Sequence, residues 1–272
     1  MAERPYYPPT NHPFEGWFVD GISLQDHGFM VASFIESAPG RRGEDLTIAR
    51  APGARWRQKF YESRQQTIVI WALKTDEFGQ VRGGAERNAD RLKRLFGGGL
   101  QQVELLRVIS LPFERVSSRR AMVELVDAME GQRTALTQTG VYIQFALTLQ
   151  FADPFWYEAE NIRTFGSEES GKLFNPGTVA SRNGIIRIDG PAEDPELILE
   201  PSGTRLVFEG SIPYGEWIEI DSDAFTAVDQ DGTSVAGSLV RDQINLMEIF
   251  PGRNVVQLSD GTATIRWKPA FL

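Results

Sequence analysis

The segment VYIQFALTLQFADPFWY, residues 141–157, decides the fold of this chain. Apolar side chains occupy every odd position from Val141 to Phe151, and mostly more polar ones lie between them. Because successive side chains of a strand point to opposite faces, this period of two predicts a long strand with one buried face. Burying each large apolar side chain contributes about 1.5–3 kcal/mol, so this strand anchors a core.

The alternation stops at Pro154, which cannot donate a hydrogen bond to a neighbouring strand. Three aromatic residues at 155–157 follow, and then a polar stretch begins. We interpret this pattern as the last strand of one domain and the hinge into the next. The sequence therefore predicts a first domain at residues 1–157 and a second at 158–272, as the chain length also favours.

The composition excludes several classes of protein. The chain contains no cysteine, which excludes disulfide scaffolds, thiolate metal sites and thiol nucleophiles. No window approaches the roughly 18 consecutive apolar residues of a membrane-spanning helix, so we expect no membrane partner. The charged, proline-rich start of the sequence does not resemble a secretory signal.

The net charge of -9 is unevenly distributed. Residues 1–157 carry 19 Lys and Arg against 18 Asp and Glu, whereas residues 158–272 carry 9 against 19. The acidic second half argues against a nucleic-acid-binding surface there, because phosphate binding needs clustered cations.

The first domain reads as mainly β with one helix. Ala85, Ala89, Leu92 and Phe96 recur at spacings of three and four, which predicts a helix over 85–96 that ends at the glycines 97–99. Trp71 lies in an apolar run, and we expect it in the core. Strands are predicted at residues 14–22, 28–35, 67–74, 101–109, 120–129 and 141–151.

Residues 36–66 form an unusual hairpin with few apolar side chains. One interpretation is a solvated two-stranded ribbon. The other is an arm that packs on a neighbouring copy of the chain, since an isolated hairpin is only marginally stable in water. On the second interpretation, the candidate subunit-interface residues are Arg41, Arg42, Arg55, Trp56 and Arg57.

The second domain has shorter segments and regular turn signals. Dipeptides such as Asn183-Gly184, Asp231-Gly232 and Asp260-Gly261 recur between short β-prone runs. Many short strands with turns every eight to twelve residues are typical of an antiparallel β-sandwich. Trp267 lies in one of these apolar strand patterns and is expected in its core.

No motif supports enzyme activity, and we predict no catalytic, cofactor-binding or metal-binding residue. His12 and His27 lie in predicted loops and are interpreted as surface histidines, because without cysteine a zinc site would have to combine them with carboxylates at distant positions. The glycines 97–99 lack the Lys and Ser/Thr of a phosphate loop. Acidic pairs are interpreted as turn residues: Glu168/Glu169, Glu193/Asp194, Asp221/Asp223 and Asp229/Asp231.

Three features carry a resemblance to a known family. They are the aromatic hinge at 155–157 after the long strand, FNPG at 174–177, and PGRN at 251–254 followed by WKP at 267–269. In order and spacing, over nearly the whole chain, these segments resemble the distal tail protein (Dit) family of long-tailed, non-contractile bacteriophages.

The resemblance implies a fold and a role. The fold would be a tail-tube-like split β-barrel with one flanking helix, followed by a galectin-like antiparallel β-sandwich. Family members form a hexameric ring at the tail tip or baseplate of the virion, after synthesis in the host cytoplasm. The implied partners are copies of the chain itself, the major tail tube protein, the baseplate hub or tail-fibre protein, and the tape-measure protein. DNA would only pass through the channel.

Competing functions remain open on the sequence. The spaced residues with which true galectins hold sugar are missing, so sugar binding does not carry over. The first rival is nevertheless a carbohydrate-binding accessory tail protein, with Trp56 or Trp217 stacking on a sugar. Two others are a polysaccharide-degrading enzyme that uses a loop carboxylate pair, and a tail-tube subunit, which would need only the first domain.

Overall fold

The computed structural model describes residues 16–25, 28–43, 46–47, 54–55, 60–74, 84–96, 101–111, 115–127, 129–133, 142–167, 170–241 and 247–272. These residues form antiparallel sheets and a single α-helix, which confirms the predicted mainly-β fold class. The chain folds as two compact units, one that ends at Trp156 and one that spans Tyr157–Phe271.

The first unit is built on one large sheet, with several two-residue strands at its margins. The helix is α1, Gly84–Leu95. The strands are β1 Gly16–Val19, β2 Ile22–Ser23, β3 Phe29–Ile35, β4 Arg41–Arg42, β5 Leu46–Thr47, β6 Ala54–Arg55, β7 Phe60–Tyr61, β8 Arg64–Leu73, β9 Gln102–Leu111, β10 Arg115–Leu125, β11 Gly131–Gln132, β12 Tyr142–Phe151 and β13 Trp156–Tyr157.

The order of strands in the large sheet is β2-β1-β9-β10-β12-β8-β3, all antiparallel. The segment predicted as one strand over 14–22 is interrupted, because Asp20 and Gly21 have φ of 48° and 78° and turn the chain back. Although β1 and β3 are close in sequence, β3 is the last strand at one end of the sheet and β1 is the second strand from the other end.

The large sheet is curled rather than flat. The rings of Trp17 in β1 and Phe34 in β3 lie 4.5 Å apart, centroid to centroid, although these strands are the width of the sheet apart in hydrogen-bonding order. The two ends of the sheet therefore approach each other, as in an open barrel.

The core of the first unit lies on one face of β8 and β12. Leu147 pairs with Ile68 and Phe145 with Ile70 in a register of ten residues, and all four side chains are almost fully buried. The expectation that Trp71 is a core residue was wrong, because Trp71 falls on the opposite, partly exposed face. The apolar run around Trp71 supplied apolar side chains to both faces, and only the pairing of β8 separates them.

The helix α1 is close to its prediction. Ala85, Ala89 and Leu92 are buried, and the helix lies against β8 and β12. The side-chain amide of Asn88 is also buried and donates to the carbonyl oxygen of Leu73 at 2.8 Å. Asn88 thus satisfies a carbonyl at the end of β8 and fixes the helix along the sheet.

The second unit is an antiparallel β-sandwich. A 3-10 helix, Ala236–Ser238, lies between two of its strands. The strands are β14 Asn161–Gly166, β15 Gly171–Asn175, β16 Gly184–Asp189, β17 Ala192–Glu193, β18 Glu196–Glu200, β19 Thr204–Phe208, β20 Ser211–Ile212, β21 Trp217–Asp221, β22 Thr226–Asp229, β23 Leu239–Arg241, β24 Gly252–Leu258, β25 Thr262–Trp267 and β26 Ala270–Phe271.

Two five-stranded sheets enclose the core of this unit. Their orders are β14-β25-β16-β21-β22 and β15-β24-β18-β19-β23. Ile186 and Ile265 from the first sheet belong to the same buried cluster as Leu197 and Val256 from the second. Trp267 is 2% exposed, which confirms its predicted place in the core. Each strand therefore contributes alternate side chains to the space between the sheets.

Asn175 of the FNPG segment closes a buried turn. Its side-chain amide donates to the carbonyl oxygen of Ile249 at 2.9 Å and to Oγ of Ser181 at 3.2 Å. Its Oδ1 accepts from the backbone N of Gly177 at 2.9 Å. A side chain at Gly177 would meet the carbonyl oxygen of Ala270 at 2.4 Å, so this position needs glycine.

Asn254 of the PGRN segment plays the same part elsewhere in the unit. Its Oδ1 accepts from the backbone N of Phe250 at 2.9 Å, and its Nδ2 donates to the carbonyl oxygen of Phe250 at 2.7 Å. Gly252, between them, has φ of 89°, which favours glycine. Two of the segments that carry the family resemblance, FNPG and PGRN, therefore contain buried asparagines that replace backbone hydrogen-bond partners at turns.

We expect Asn175→Ala to lower the free energy of unfolding of the second unit by about 1–3 kcal/mol, because it leaves buried carbonyl and amide groups unpaired. The matched control is Phe174→Ala at the preceding, 62% exposed position. Urea unfolding measures both variants. Equal stability of the two variants would contradict the assignment of Asn175 as a buried turn closure.

Candidate assembly surface

In its described residues, the hairpin predicted at residues 36–66 continues the β3–β8 pair as a narrow ribbon. Beyond the last residues of β3 that pair with β8, β4 pairs with β7, and β5 pairs with β6. Arg41 lies opposite Tyr61, and Leu46 lies opposite Arg55. In the described part of this ribbon, β4–β7 and β5–β6 are each two-stranded sheets. We call residues 40–61 the arm.

The structure describes the side chains of only some of the five predicted interface residues. Arg41 and Arg42 are exposed, and the guanidinium carbon of Arg41 lies 5.5 Å from the ring centroid of Tyr61. Arg55 lies in β6, where the backbone alone is described. Trp56 and Arg57 lie outside the described residues. The role of all five in a subunit interface stays a prediction.

A buried arginine holds the base of the arm. Arg64, the first residue of β8, is 5% exposed, and its Nη1 donates to the carbonyl oxygen of Ser37 at 3.2 Å. Oγ of Ser37 donates in turn to the carbonyl oxygen of Gln65 at 2.8 Å. These bonds tie together the two chain segments that enter and leave the arm.

The environment of Arg64 is unfavourable for a cation. Its Nε and Nη2 have no hydrogen-bond partner within the described part of the chain. Burial lowers the pKa of Arg64 below its ordinary value, and the carboxylates of Glu36 and Asp153 offset part of that effect. The guanidinium carbon lies 5.1 Å from the ring centroid of Phe151, so an aromatic face supplies some of the lost solvation.

Phe151 belongs to an aromatic cluster that joins the two ends of the curled sheet. Its ring centroid lies 5.3 Å from that of Trp156, which in turn lies 6.2 Å from both Trp17 and Phe34. The hinge tryptophan is 2% exposed. The predicted hinge therefore inserts an aromatic side chain into the first unit, where it packs against β1, β3 and β12.

A second arginine lies at the other end of this cluster. The guanidinium carbon of Arg107 lies 5.1 Å from the ring centroid of Trp17, and its Nη1 donates to the carboxylate of Glu36. Glu36 and Ser37 are the first residues after β3, so Arg107 and Arg64 both hold the segment that leads into the arm. The base of the arm is fixed while Arg41 and Arg42 remain exposed.

The sequence reasoning overlooked both of these arginines. Arg64 stands in the same alternation as Gln66, Ile68 and Ile70, all of which are buried. A period-two pattern extended toward the N-terminus would have placed Arg64 on the inner face. No comparable signal marks Arg107, because its neighbours in β9 are apolar on both sides.

We expect Arg64→Met to change the free energy of unfolding by less than about 1.5 kcal/mol, because methionine fills similar volume without a desolvated cation. Arg64→Ala should cost about 2–5 kcal/mol, because it empties a buried site. Chemical denaturation measures both. A smaller loss in Arg64→Met than in Arg64→Ala would show that the base of the arm depends on packing. Equal losses in the two variants would argue that the charge itself stabilises the base.

One face of the ring of Trp217, the candidate sugar-stacking residue of the second unit, is occupied by a neighbouring side chain. The guanidinium carbon of Arg187 lies 4.5 Å from the ring centroid of Trp217. Nε and Nη2 of Arg187 donate to Oδ1 of Asp189 at 2.9 and 2.6 Å, which holds the guanidinium in place. A sugar ring would have to compete with this guanidinium for the aromatic face.

We expect a double-mutant cycle of Trp217→Ala and Arg187→Ala to give a coupling free energy of about 0.5–1 kcal/mol in thermal unfolding, as for a half-exposed cation–π pair. The same Trp217→Ala variant should show no change on a glycan array. Loss of a glycan signal present in the wild-type chain would instead favour the carbohydrate-binding rival.

The described acidic pairs act as turn residues. Oδ1 of Asp221 accepts from the backbone N of Asp223 at 2.8 Å, and Oδ1 of Asp229 accepts from the backbone N of Asp231 at 3.0 Å. Oδ1 of Asp194 accepts from the backbone N of Gly210 at 2.8 Å. The bonds of Asp221 and Asp229 are of the kind that Asx-turns make, whereas the bond of Asp194 joins two loops that are distant in sequence.

Two other kinds of site are absent from the described residues. In the described ranges, no three His, Cys, Asp or Glu residues come together in a way that could hold a metal ion. Among the described helical residues, no helix has the length and apolar character needed to cross a membrane.

The fold, a curled sheet with its arm followed by a two-sheet sandwich, is similar to the solved structure of a phage Dit protein. The chain resembles the SPP1 Dit protein, with a TM-score of 0.66 and 16% sequence identity over 95% of this chain and 100% of that one. SPP1 Dit is described as a paradigm of the hub adsorption apparatus in phages that infect Gram-positive bacteria. The predicted resemblance to the distal tail family is thus confirmed at the level of the fold.

A component of the phage p2 baseplate is also similar, with a TM-score of 0.44 and 12% identity over 93% of this chain and 98% of that one. No protein-family model matches the sequence, and no curated protein matches it.

Proposed function

We propose that this chain is a structural, non-enzymatic protein of a phage tail tip, where it forms a hexameric ring as a distal tail protein. The observation that carries the proposal is the fold similarity to SPP1 Dit, which extends over both units and over the full length of that protein. A similarity confined to one unit would have supported the fold of a sandwich or a tube domain alone.

The arm supports the ring in particular. Its described residues form two short strand pairs, one of which contains the exposed Arg41 and Arg42. An isolated two-stranded hairpin is marginally stable in water without a surface to pack on. Its base is nevertheless fixed by Arg64 and Arg107. A fixed base next to the exposed Arg41 and Arg42 is suited to a contact with a neighbouring molecule.

The distribution of charge supports an orientation of the ring. The first unit is close to neutral, so that six copies can approach one another through it, whereas the second half carries most of the negative charge. The near-neutral unit would build the ring, and the acidic sandwich would lie outside it. On this proposal the ring joins the major tail tube protein to the baseplate hub or tail-fibre protein, and it surrounds the tape-measure protein and the passing DNA.

We expect native mass spectrometry of the purified chain to show a six-fold species at raised concentration, and we expect a variant that lacks residues 40–59 to be monomeric. The deletion removes the part of the arm that reaches a neighbour, while Arg64 and its bond to Ser37 remain. The control is the deletion variant's circular dichroism spectrum, which should remain that of a β protein.

The possible outcomes distinguish the proposal of a ring from the proposal that the arm holds it together. A six-fold species that survives the deletion would keep the ring and reject the role of the arm. A wild-type chain that stays monomeric at every concentration would reject the self-assembling ring.

A further inference from the structure

The solvent-facing side of α1 carries a row of arginines. Arg87, Arg91 and Arg94 are exposed, and their spacing of four and three residues places them on one face of the helix. At a rise of about 1.5 Å per residue, the row extends about 10 Å along the helix. We call these three side chains the arginine row.

The acidic residues of α1 are paired with other cations. Both carboxylate oxygens of Glu86 accept from Nη2 of Arg133 at 2.8 Å, and Oδ1 of Asp90 lies 3.9 Å from Nζ of Lys93. Among the ion pairs formed by the described residues, none includes an arginine of the row. The row is therefore a local excess of positive charge in a unit whose net charge is close to zero.

The stability of the helix does not account for this row. Like charges three or four residues apart on a helix repel each other and destabilise it. Arg87 lies in the first turn, at the positive end of the helix dipole, where a cation is unfavourable, whereas Arg94 lies in the favourable last turn. A surface that brings three cations together against their mutual repulsion is suited to an anionic partner.

The second unit contains a region without cations. No Lys or Arg lies between Arg205 and Arg241, and residues 216–231 within this region include six Asp and Glu. Asp221 and Asp223 lie where β21 turns into the edge strand β22, with at most about 7 Å between their Cα atoms. Neither of them takes part in an ion pair within the described residues.

Phe225 ends this turn, and we call residues 221–225 the acidic turn. The side chain of Phe225 is 58% exposed, and its φ of 55° lies in the left-handed region. The other described non-glycine residues with positive φ are Asp20 and Asp194, and aspartate tolerates this region, whereas a bulky side chain adopts it only under strain. Folding alone therefore does not explain a phenylalanine at this exposed position.

The arginine row and the acidic turn are complementary in charge and in the kinds of group that they present. An arginine binds a carboxylate through two parallel hydrogen bonds and an aromatic ring through its face, so three guanidinium groups correspond to two carboxylates and one ring. The backbone N of Asp223 and that of Ala224 donate to Oδ1 of Asp221 at 2.8 and 3.0 Å, which fixes the turn. A turn that is already fixed loses little conformational freedom on binding.

A protein surface is favoured over a nucleic acid as the partner of the row. Glu86 and Asp90 each lie one residue from an arginine of the row, so a continuous polyanion would also meet their carboxylates. The acidic turn presents two separate carboxylates instead. Copies of the chain in one ring would also hold these turns at high local concentration beside the rows.

We propose that the arginine row of one molecule binds the acidic turn of a second copy of this chain, with guanidinium groups on Asp221, Asp223 and the ring of Phe225. Because the two surfaces differ, the contact repeats head to tail and can close a ring. The proposal rests on the ring proposed above and names one contact through which its copies meet.

Cysteine crosslinking between two proteins tests the contact, because the chain contains no cysteine of its own. Arg91→Cys and isotopically labelled Asp223→Cys are mixed and treated with a short bismaleimide. A heterodimer should form in excess of either homodimer, and since each protein has one thiol, every crosslink joins two molecules. The control replaces Asp223→Cys by Glu200→Cys, an exposed acidic position on the other sheet of the second unit, and should give no heterodimer.

A charge exchange tests the same contact by assembly. Arg91→Glu or Asp223→Arg alone should raise the concentration needed for half-assembly about tenfold or more, because like charges then face each other. The chain with both changes should assemble within about threefold of the wild-type concentration, because the pair is restored with its signs exchanged. The matched control is Lys93→Glu, which makes the same change of net charge on α1 outside the row and should have little effect.

Phe225→Asn separates binding from folding. Asparagine tolerates the left-handed region, so the variant should have a higher Tm than the wild type. The same variant lacks the ring, so it should need a higher protein concentration for half-assembly. An unchanged half-assembly concentration would reject the contact of the ring with the arginine row.

The results that overturn this contact differ from those that overturn the ring. A ring that forms without the heterodimer, or in which the charge variants behave like their controls, rejects the contact and keeps the proposed function. Loss of assembly in Arg91→Glu that Asp223→Arg does not restore rejects the acidic turn as the partner. Binding of a fluorescent DNA duplex that Arg91→Glu abolishes, without the heterodimer, assigns the row to nucleic acid instead. A wild-type monomer at every concentration, with no heterodimer, rejects both proposals.

Discussion

The ten-residue antiparallel register between β8 and β12 is the constraint on which the first unit depends. It places Ile68, Ile70, Phe145 and Leu147 on one face, where they form the core under α1. The same register assigns all the intervening side chains to the other face. A shift of one residue would exchange the two sets, so the buried core and the uncharged outer surface are two consequences of a single pairing.

At the base of the arm, the first unit buries a cation, and this burial costs free energy. A buried, incompletely paired cation at Arg64 contributes little net stability on its own. It does connect the start of the arm to the aromatic cluster of Phe151 and Trp156, and Arg107 makes the matching connection from Trp17 to Glu36. The cluster that holds the curled sheet together is therefore also the anchor of the segment that extends from it.

The second unit divides its roles differently. Its interior is held by alternate apolar side chains from two sheets, and its turns by buried asparagines and exposed aspartates. The residues of FNPG and PGRN that resemble the distal tail family are turn closures, so the resemblance reflects how this sandwich folds. Trp217 is a similar case. The sequence suggests that it could bind a ligand, whereas in the structure its ring contacts a neighbouring side chain of the same unit.

Local pattern was sufficient for much of this fold. The alternation from Val141 to Phe151 determined a strand with one buried face, the spacing of Ala85, Ala89 and Leu92 determined the helix, and turn dipeptides determined the short strands of the sandwich, because these periods follow from backbone geometry alone. The face on which Trp71 lies, the burial of Arg64, and the approach of β1 to β3 across the sheet were decided only by tertiary structure. Each depends on which distant strand pairs with which, and a run of apolar residues or a lone arginine is compatible with either face until that pairing is made.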